Sequence, residues 1–286
     1  MVLKTPLDEV LSFDENCSFQ WDVALENAMD GNPDGIIKSH LRELFFDTFC
    51  EFPSLKTDFE GLRFYNINKG NTDGILNQIV NNQLGLSKIV FNDALDPLIS
   101  LYPKLVRHGK SKAEKRVLRL FENVIKENLR IACLCGESEK SIINQLMWAH
   151  YANSHKGICV SYSLPTESIV FLDKKETSFC VFNQVKYTKK KKKIENLTLE
   201  DALFLKTFQW NYENEFRLIS FSENNNHEKY PTVGNVKINA VYLGCKIQDK
   251  IIGQFRNRLE PFNIPLYKMV VKTDNLTELY PLLLQS

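Results

Sequence analysis

The chain reads as an α+β protein built on a central, mostly antiparallel sheet with inserted helices. Three observations lead there. Short β-rich runs recur along most of the sequence, and helix-period segments interrupt them irregularly rather than following every strand. Turn signals of glycine, proline and asparagine punctuate the runs. No internal repeat is present, and the irregular insertion of the helices favours α+β over a doubly wound sheet. A chain of 286 residues can bury a substantial core, as one domain with an appendage or as two small domains.

Residues 1–58 are expected to form an N-terminal helical extension. Ile36, Ile37, Leu41, Leu44, Phe45, Phe49 and Cys50 recur at helical spacing after the turn signal Gly31-Asn32-Pro33-Asp34-Gly35, and Phe52-Pro53-Ser54 closes the run. Its apolar stripe would pack on the body or on a protein partner. The α+β body is expected over 59–286. Arg63 to Asn66 predicts a strand, Thr72 to Val80 a helix and Leu84 to Ser87 a short strand, followed by the turn-rich Asn92-Asp93-Ala94-Leu95-Asp96-Pro97. Lys112 to Leu129 reads as an amphipathic helix through Val117, Leu118, Leu120, Phe121, Val124 and Ile125. Arg130 to Leu134 predicts a strand and Lys140 to Asn153 a helix, with Gly157 stopping the chain before a strand at Ile158 to Tyr162. Further strands are expected near Phe182–Tyr187, Glu213–Phe221, Ala240–Leu243 and Tyr267–Val271, and a helix over Asp249–Leu259.

Charge and cysteine usage exclude several classes. Lys plus Arg (36) nearly balances Asp plus Glu (35), so the formal charge of +1 argues against a dedicated polyanion binder while leaving room for a local patch. No apolar run approaches the roughly 20 residues needed to span a bilayer, and the first residues lack a signal-peptide apolar core. Seven cysteines, an odd number mostly in apolar surroundings, read as reduced thiols of a cytoplasmic protein. Cys133-Leu134-Cys135 has no second ligand pair at metal spacing, so no metal site is expected. A G-x-G-x-x-G after a strand, a P-loop, H-E-x-x-H and G-x-S-x-G are all missing.

The stretch Trp210-Asn211-Tyr212-Glu213-Asn214-Glu215-Phe216-Arg217 carries the most chemistry. On a strand, period two would put Glu213, Glu215 and Arg217 on one face and Tyr212, Phe216 and Leu218 on the other. Three such charges are costly to bury unless paired or used. The plain alternative is a water-facing side with a surface Glu215–Arg217 pair. On the helix from Ile142 to Tyr151, 100° per residue puts His150 among Ile142, Ile143, Leu146 and Met147, with Trp148 and Tyr151 on other faces. An imidazole there is either a satisfied core histidine or the floor of a site where His150 or Tyr151 donates to a ligand. Asn92 to Pro97 builds Asx turns or the mouth of a site. The run Lys189 to Lys193 is a solvated loop or a contact for phosphates.

Together these motifs resemble a bacterial group, domain-of-unknown-function family 2971, from about Leu62 to Val271. The resemblance is carried by Leu62-Arg63-Phe64-Tyr65, by Ser87 with Asn92-Asp93-Ala94-Leu95-Asp96, and by Met147-Trp148-Ala149-His150-Tyr151-Ala152 with His155-Lys156-Gly157. Lys206, Trp210, Tyr212, Glu213, Glu215 and Arg217, then Leu243-Gly244, complete it; Ala94 stands where the group usually has proline. The order Arg63 or Tyr65, then Ser87, then Glu213-Asn214-Glu215 is also similar to ADP-ribosyltransferase-type domains. That likeness implies a split sheet and NAD as the substrate. It makes Glu215 the catalytic carboxylate with Glu213 as activating partner and Tyr65 beside them. Arg63, Ser87, Asn92, Trp148, His150, Tyr151 and Arg217 would hold the dinucleotide. The acceptor would be a protein, a nucleic acid or water, in the setting of a bacterial toxin or anti-phage effector. Two other readings stay open. One is a non-enzymatic sensor or interaction protein docking through its N-terminal helices. The other is a nuclease holding a divalent metal with Asp93, Asp96, Glu213 or Glu215.

Overall fold

A computed structural model describes residues 38, 48–49, 59–88, 119, 123–136, 139–165, 178–190, 198–222, 232–234, 236–272 and 278–285. The expected extension over 1–58 and the loop containing Asn92 therefore lie almost wholly outside the described residues. Nine strands form the main sheet, in the order β13-β12-β11-β5-β1-β4-β9-β6 with β3 attached to β4. In chain order these are β1 (Phe59–Tyr65), β3 (Ser87–Lys88), β4 (Leu129–Gly136), β5 (Ile158–Leu164), β6 (Ser178–Gln184), β9 (Glu215–Ser222), β11 (Lys237–Leu243), β12 (Leu266–Val271) and β13 (Leu279–Gln285). Every pairing is antiparallel except β11 with β12. Four short strands pair apart from it: β2 (Leu84–Gly85) with β10 (Thr232–Val233), and β7 (Lys186–Thr188) with β8 (Leu205–Thr207). The helices with described bounds are α1 (Thr72–Val80), α2 (Glu139–Ile142), α3 (Gln145–Tyr151), α4 (Leu199–Phe204) and α5 (Asp249–Leu259), and residues 38, 48–49, 119 and 123–128 are helical as well.

Alternation along the strands gives the sheet two apolar faces. On one, Ala132, Leu134, Val160, Tyr162 and Leu218 pack with Ile75, Leu76 and Ile79 of α1 and Phe255 and Leu259 of α5. On the other, Leu62, Cys135, Cys159 and Met269 pack with Met147 and Trp148 of α3. The register places Leu62 opposite Cys135 and Cys135 opposite Glu215, so all three share this second face. Arg217, opposite Cys133, belongs to it too.

Strand β4 has a forked edge. Residues 129–135 pair with β9 on one side. On the other side β1 meets β4 only at Gly61–Gly136 and Leu62–Cys135, while β3 takes the same edge at Ile131 and Arg130. No described strand pairs with that edge between the two contacts, because β1 leaves β4 there while staying hydrogen-bonded to β5 as far as Tyr65.

The coarse expectation of a mixed, mostly antiparallel architecture matches this sheet, and the expected helix over Asp249–Leu259 is α5. Local punctuation accounts for the differences. The helix expected over 140–153 is two helices, because the Asn144 side chain accepts from the Leu146 N–H and starts a new helix in a new phase. Glu213 is not in the strand: Phe208–Glu213 is a 3-10 helix, ended by Asn214 in the left-handed region at φ 42°. Tyr212 accordingly packs with the Trp148 cluster rather than with Phe216 and Leu218.

After α3 the chain turns through three consecutive left-handed residues, Asn153, Ser154 and His155. The turn sits tightly on its neighbours. A β-carbon on Gly157 would come within 2.2 Å of the Tyr65 carbonyl oxygen, and one on Gly244 within 2.2 Å of the His155 carbonyl oxygen.

Candidate functional site

One segment supplies most of the charged cluster. Thr198 caps α4 with a reciprocal capping box to Asp201, fixing where the helix begins. The chain then runs through β8, which carries Lys206, the 3-10 helix ending at Glu213, and β9, which starts at Glu215. Lys206 Nζ lies 2.5 Å from Glu213 Oε2 and 3.1 Å from Glu215 Oε2, bridging two buried carboxylates. Arg217 donates from Nε to Glu215 Oε1 at 2.8 Å and from Nη2 to Oε2 at 3.3 Å, and its Nη1 donates to the Leu203 carbonyl at 2.5 Å. From α3, the Tyr151 hydroxyl donates to Glu213 Oε1 at 2.5 Å. The Glu215 N–H donates to the Tyr187 hydroxyl at 2.8 Å. Lys206 also lies over the Trp210 ring, 5.0 Å from its centroid.

The cluster stays charged against its own burial. Burial alone favours the neutral acid of Glu215, but the Arg217 charge and hydrogen bonds, together with Lys206, outweigh it and hold the carboxyl below its ordinary range. Burial likewise disfavours the cationic form of Lys206, and Glu215 and Glu213 more than restore it, so the ammonium titrates above its usual value. Arg217 behaves the same way. Tyr151 is held as the neutral phenol, first by burial and then by its bond to Glu213.

A second group gathers at the fork. Arg63 Nη1 donates to the Gly85 carbonyl, and Nη2 to Ser87 Oγ at 3.3 Å, tying β1 to the β2–β3 segment. Cys133 on β4 stands between this group and the carboxylates, feeling Glu215 and Arg217 on one side and Arg63 on the other. Its side chain is solvent-accessible. Nevertheless, the protein packed around it and the neighbouring Glu215 push its thiol up to about 12.

The geometry therefore unites Glu213, Glu215, Arg217 and Tyr151 in one cluster and Arg63 with Ser87 in an adjoining one. Two expected site residues are placed elsewhere. Tyr65 alternates away from Leu62 and lies on the opposite face of the sheet from Glu215, where its hydroxyl meets that of Tyr162 at 2.6 Å. Trp148 is wholly buried, donates Nε1–H to the Ile142 carbonyl at 2.7 Å and packs edge-on against Phe64, so its ring cannot sandwich a ligand. His150 is exposed rather than set in the core, 5.8 Å from the Trp210 ring centroid. Asn92 lies outside the described residues.

Lys206, Tyr187 and Cys133 were not expected at the site. Lys206 stands in the same recurring motif as the glutamates, and its spacing of seven and nine residues from them was the available signal. Tyr187 and Cys133 arrive through strand pairing, which no local pattern reveals. Among the described residues no group of three or more His, Cys, Asp and Glu side chains is arranged to hold a metal ion. No described helix is long and apolar enough to cross a membrane.

Fold and site together define a mixed α/β protein whose antiparallel sheet buries a carboxylate–cation cluster beside a forked strand edge. Residues 147–218 match the model of a family described as a protein of unknown function, DUF2971. That segment runs from α3 through β9 and holds Tyr151, Lys206, both glutamates and Arg217. It agrees with the resemblance drawn from the sequence over this part of the chain. Neither the curated proteins nor the solved structures contain a match.

Proposed function

We propose that the protein cleaves the nicotinamide–ribose bond of NAD as an ADP-ribosyltransferase-type enzyme, passing ADP-ribose to a macromolecular acceptor or to water. The observation that carries this reading is the pair of clusters across β4. Arg63 leaves β1 on the Tyr65 face, its guanidinium 4.9 Å from the Tyr65 ring centroid, and reaches at the fork to Ser87, which pairs opposite Ile131 on the Glu215 face; Cys133 stands between that contact and Glu215 with Arg217. Where β1 still pairs with β4, at Gly61 and Leu62, it lies two strand spacings from β9, about 10 Å; Arg63 lies just beyond that contact, so a pyrophosphate at its guanidinium and a ribose at Glu215 would span the open edge of the fork.

The residues have capacity for such a substrate. Arg63 uses two donor contacts and a guanidinium carries five N–H groups, so it has donors left for a phosphate oxygen. Glu215 accepts from Lys206 and twice from Arg217, and the Cys133 thiol, a weak donor, occupies the remaining position, so a ribose hydroxyl would take the place of that thiol. In the reaction the C1′–N bond breaks, and nicotinamide leaves as a neutral base with the bonding pair. A bond forms from C1′ to the acceptor atom, whose proton passes to the Glu213 carboxylate and on to solvent. The ionised Glu215 stabilises the positive charge that develops on the ribose.

A second reading has its own support. Both glutamates already answer to cations within the chain, as in a buried ion-pair network that only holds the fold of a non-enzymatic protein. Nicotinamide release separates the two, measured for wild type, Glu215→Gln and Ser87→Ala. Ser87 is exposed and its side chain contacts only Arg63 among the bonds described, so its loss leaves the fold intact. On the enzyme reading wild type releases nicotinamide, Glu215→Gln loses about a hundredfold or more, and Ser87→Ala slows by roughly tenfold. No NAD consumption and no NAD-dependent thermal shift in wild type, with and without added protein or nucleic acid, would remove the enzyme reading.

A further inference from the structure

Glu213 is poorly placed to take a proton directly from an acceptor. It is 3% exposed, and both of its carboxylate oxygens are met from within the chain. Lys206 Nζ meets Oε2 at 2.5 Å, and the Tyr151 hydroxyl donates to Oε1 at 2.5 Å. The backbone accounts for this placement. Asn214, in the left-handed region, ends the 3-10 helix and sets Glu213 off the strand that begins at Glu215. Its carboxylate is thereby met by α3, which packs on the same face of the sheet through Met147 and Trp148. Tyr151 is the last residue of α3 and is 37% exposed, so it joins the surface to the buried carboxylate.

The two partners of Glu213 differ in what they can do with a proton. A lysine ammonium has three donors and no lone pair, so Lys206 cannot accept from an incoming group. Glu215 and Glu213 also keep it cationic. A phenol oxygen both donates and accepts. Tyr151 gives its O–H to Glu213, and its oxygen accepts no hydrogen bond among the described residues. Burial and the bond to Glu213 disfavour the phenolate, so this oxygen must gain a proton as it gives one up.

We propose that Tyr151 is the proton relay of the reaction, and that the acceptor meets the protein at the phenol oxygen rather than at Glu213. This deepens the NAD reading above and rests on it. As the acceptor atom bonds to C1′, its proton passes to the Tyr151 oxygen while the Tyr151 proton passes to Glu213 Oε1. Nicotinamide departs with the electron pair of the broken C1′–N bond. The positive charge of its ring and the negative charge of Glu213 are lost together, so charge balances. Tyr151 is a phenol before and after the step. The reverse shift through the same oxygen returns the proton from Glu213 to solvent.

Azide tests this step, because an anionic nucleophile attacks C1′ with no proton to lose and bypasses a relay, whereas it cannot repair a misplaced site. Nicotinamide release by the intact chain is followed for wild type, Tyr151→Phe and Glu213→Gln, with and without sodium azide, beside thermal melts. Tyr151→Phe should lower kcat by about a hundredfold and leave KM for NAD close to that of wild type. Azide should restore most of that kcat, with ADP-ribosyl azide as the product, while changing wild type little. Glu213→Gln removes the far end of the same relay and should be rescued alike, so a folding failure in one variant leaves the other to decide. Undiminished release by Tyr151→Phe, or a loss in the folded variants that azide does not restore, would overturn the relay and leave the NAD reading standing. A raised KM with kcat intact would do the same, making Tyr151 part of the dinucleotide seat. No release by wild type, with or without azide, would remove the NAD reading and the relay together.

Discussion

Without Lys206, Glu213 and Glu215 would lie close together on one face of the protein with only the Arg217 guanidinium between them and an uncompensated charge. The loss would leave one carboxylate unpaired in a buried setting. Lys206→Met is therefore expected to destabilise the protein by about 3 kcal/mol, and Lys206→Arg to restore part of that, measured by urea unfolding. Glu215 also fixes a pH dependence. Its folded-state value is depressed below 4.5, so the stability it contributes is complete above 4.5 and drains away as pH falls through the lower folded value. The melting temperature of wild type should fall more steeply between pH 5 and pH 3 than that of Glu215→Gln. At this scale the sequence disclosed the Glu215–Arg217 pairing, because both residues do lie on one strand face. It misled on Glu213, since the period of two was carried across Asn214, whose left-handed backbone breaks the strand. It misled on Tyr65 for a different reason. Which face a strand residue shares with Glu215 depends on the pairing of Leu62 with Cys135, a contact between segments far apart in the chain.

Elements place these residues by close approach as much as by hydrogen bonding. The left-handed turn after α3 is pinned on both sides by glycines that permit backbone contact. Gly244 lies so close to the His155 carbonyl that a methyl group must displace backbone, not a flexible side-chain tip. Its N–H donates to the Gly157 carbonyl at 2.9 Å, and the Lys246 N–H to the His155 carbonyl at 3.0 Å, so a shift here loosens the seat of the whole turn. Gly244→Ala is expected to cost about 1–3 kcal/mol by overpacking. Because the turn anchors the end of α3, the same change should also reduce Tyr151's hold on Glu213 and lower any NAD turnover beyond the loss of folded protein. Thermal melts alongside activity corrected for folded fraction would check both effects. The helix itself shows why the site's aromatic residues were misassigned from sequence. A single helix over 140–153 makes His150 inward-facing, whereas the cap at Asn144 restarts the helix and turns Met147 and Trp148 inward instead. Asparagine followed by an apolar run carried that signal, and the uninterrupted apolar pattern around it hid the break.

The whole molecule joins the two clusters through its central strands. Arg63 lies on β1, Cys133 on β4 and Glu215 on β9, and these strands separate the two apolar clusters on opposite faces of one sheet. A ligand touching both Arg63 and Glu215 would therefore grip the part of the structure that must come apart in global unfolding, not a peripheral loop. Binding confined to the native state stabilises by RT ln(1 + [L]/Kd), about 2.7 kcal/mol at a hundredfold excess over Kd. For a chain of this size that corresponds to a rise in melting temperature of roughly 5 °C. The proposed function thus predicts a shift of about that size for wild type at saturating NAD, growing with the logarithm of ligand concentration. Ser87→Ala should shift less at the same concentration, because Arg63 loses the side chain that holds it toward β3. Lys189→Ala/Lys190→Ala should shift as wild type does, since those exposed lysines belong to neither cluster at the fork. A shift seen equally in all three proteins would mean that NAD binds away from the fork. Its absence in all three would return the buried charges to a purely structural role.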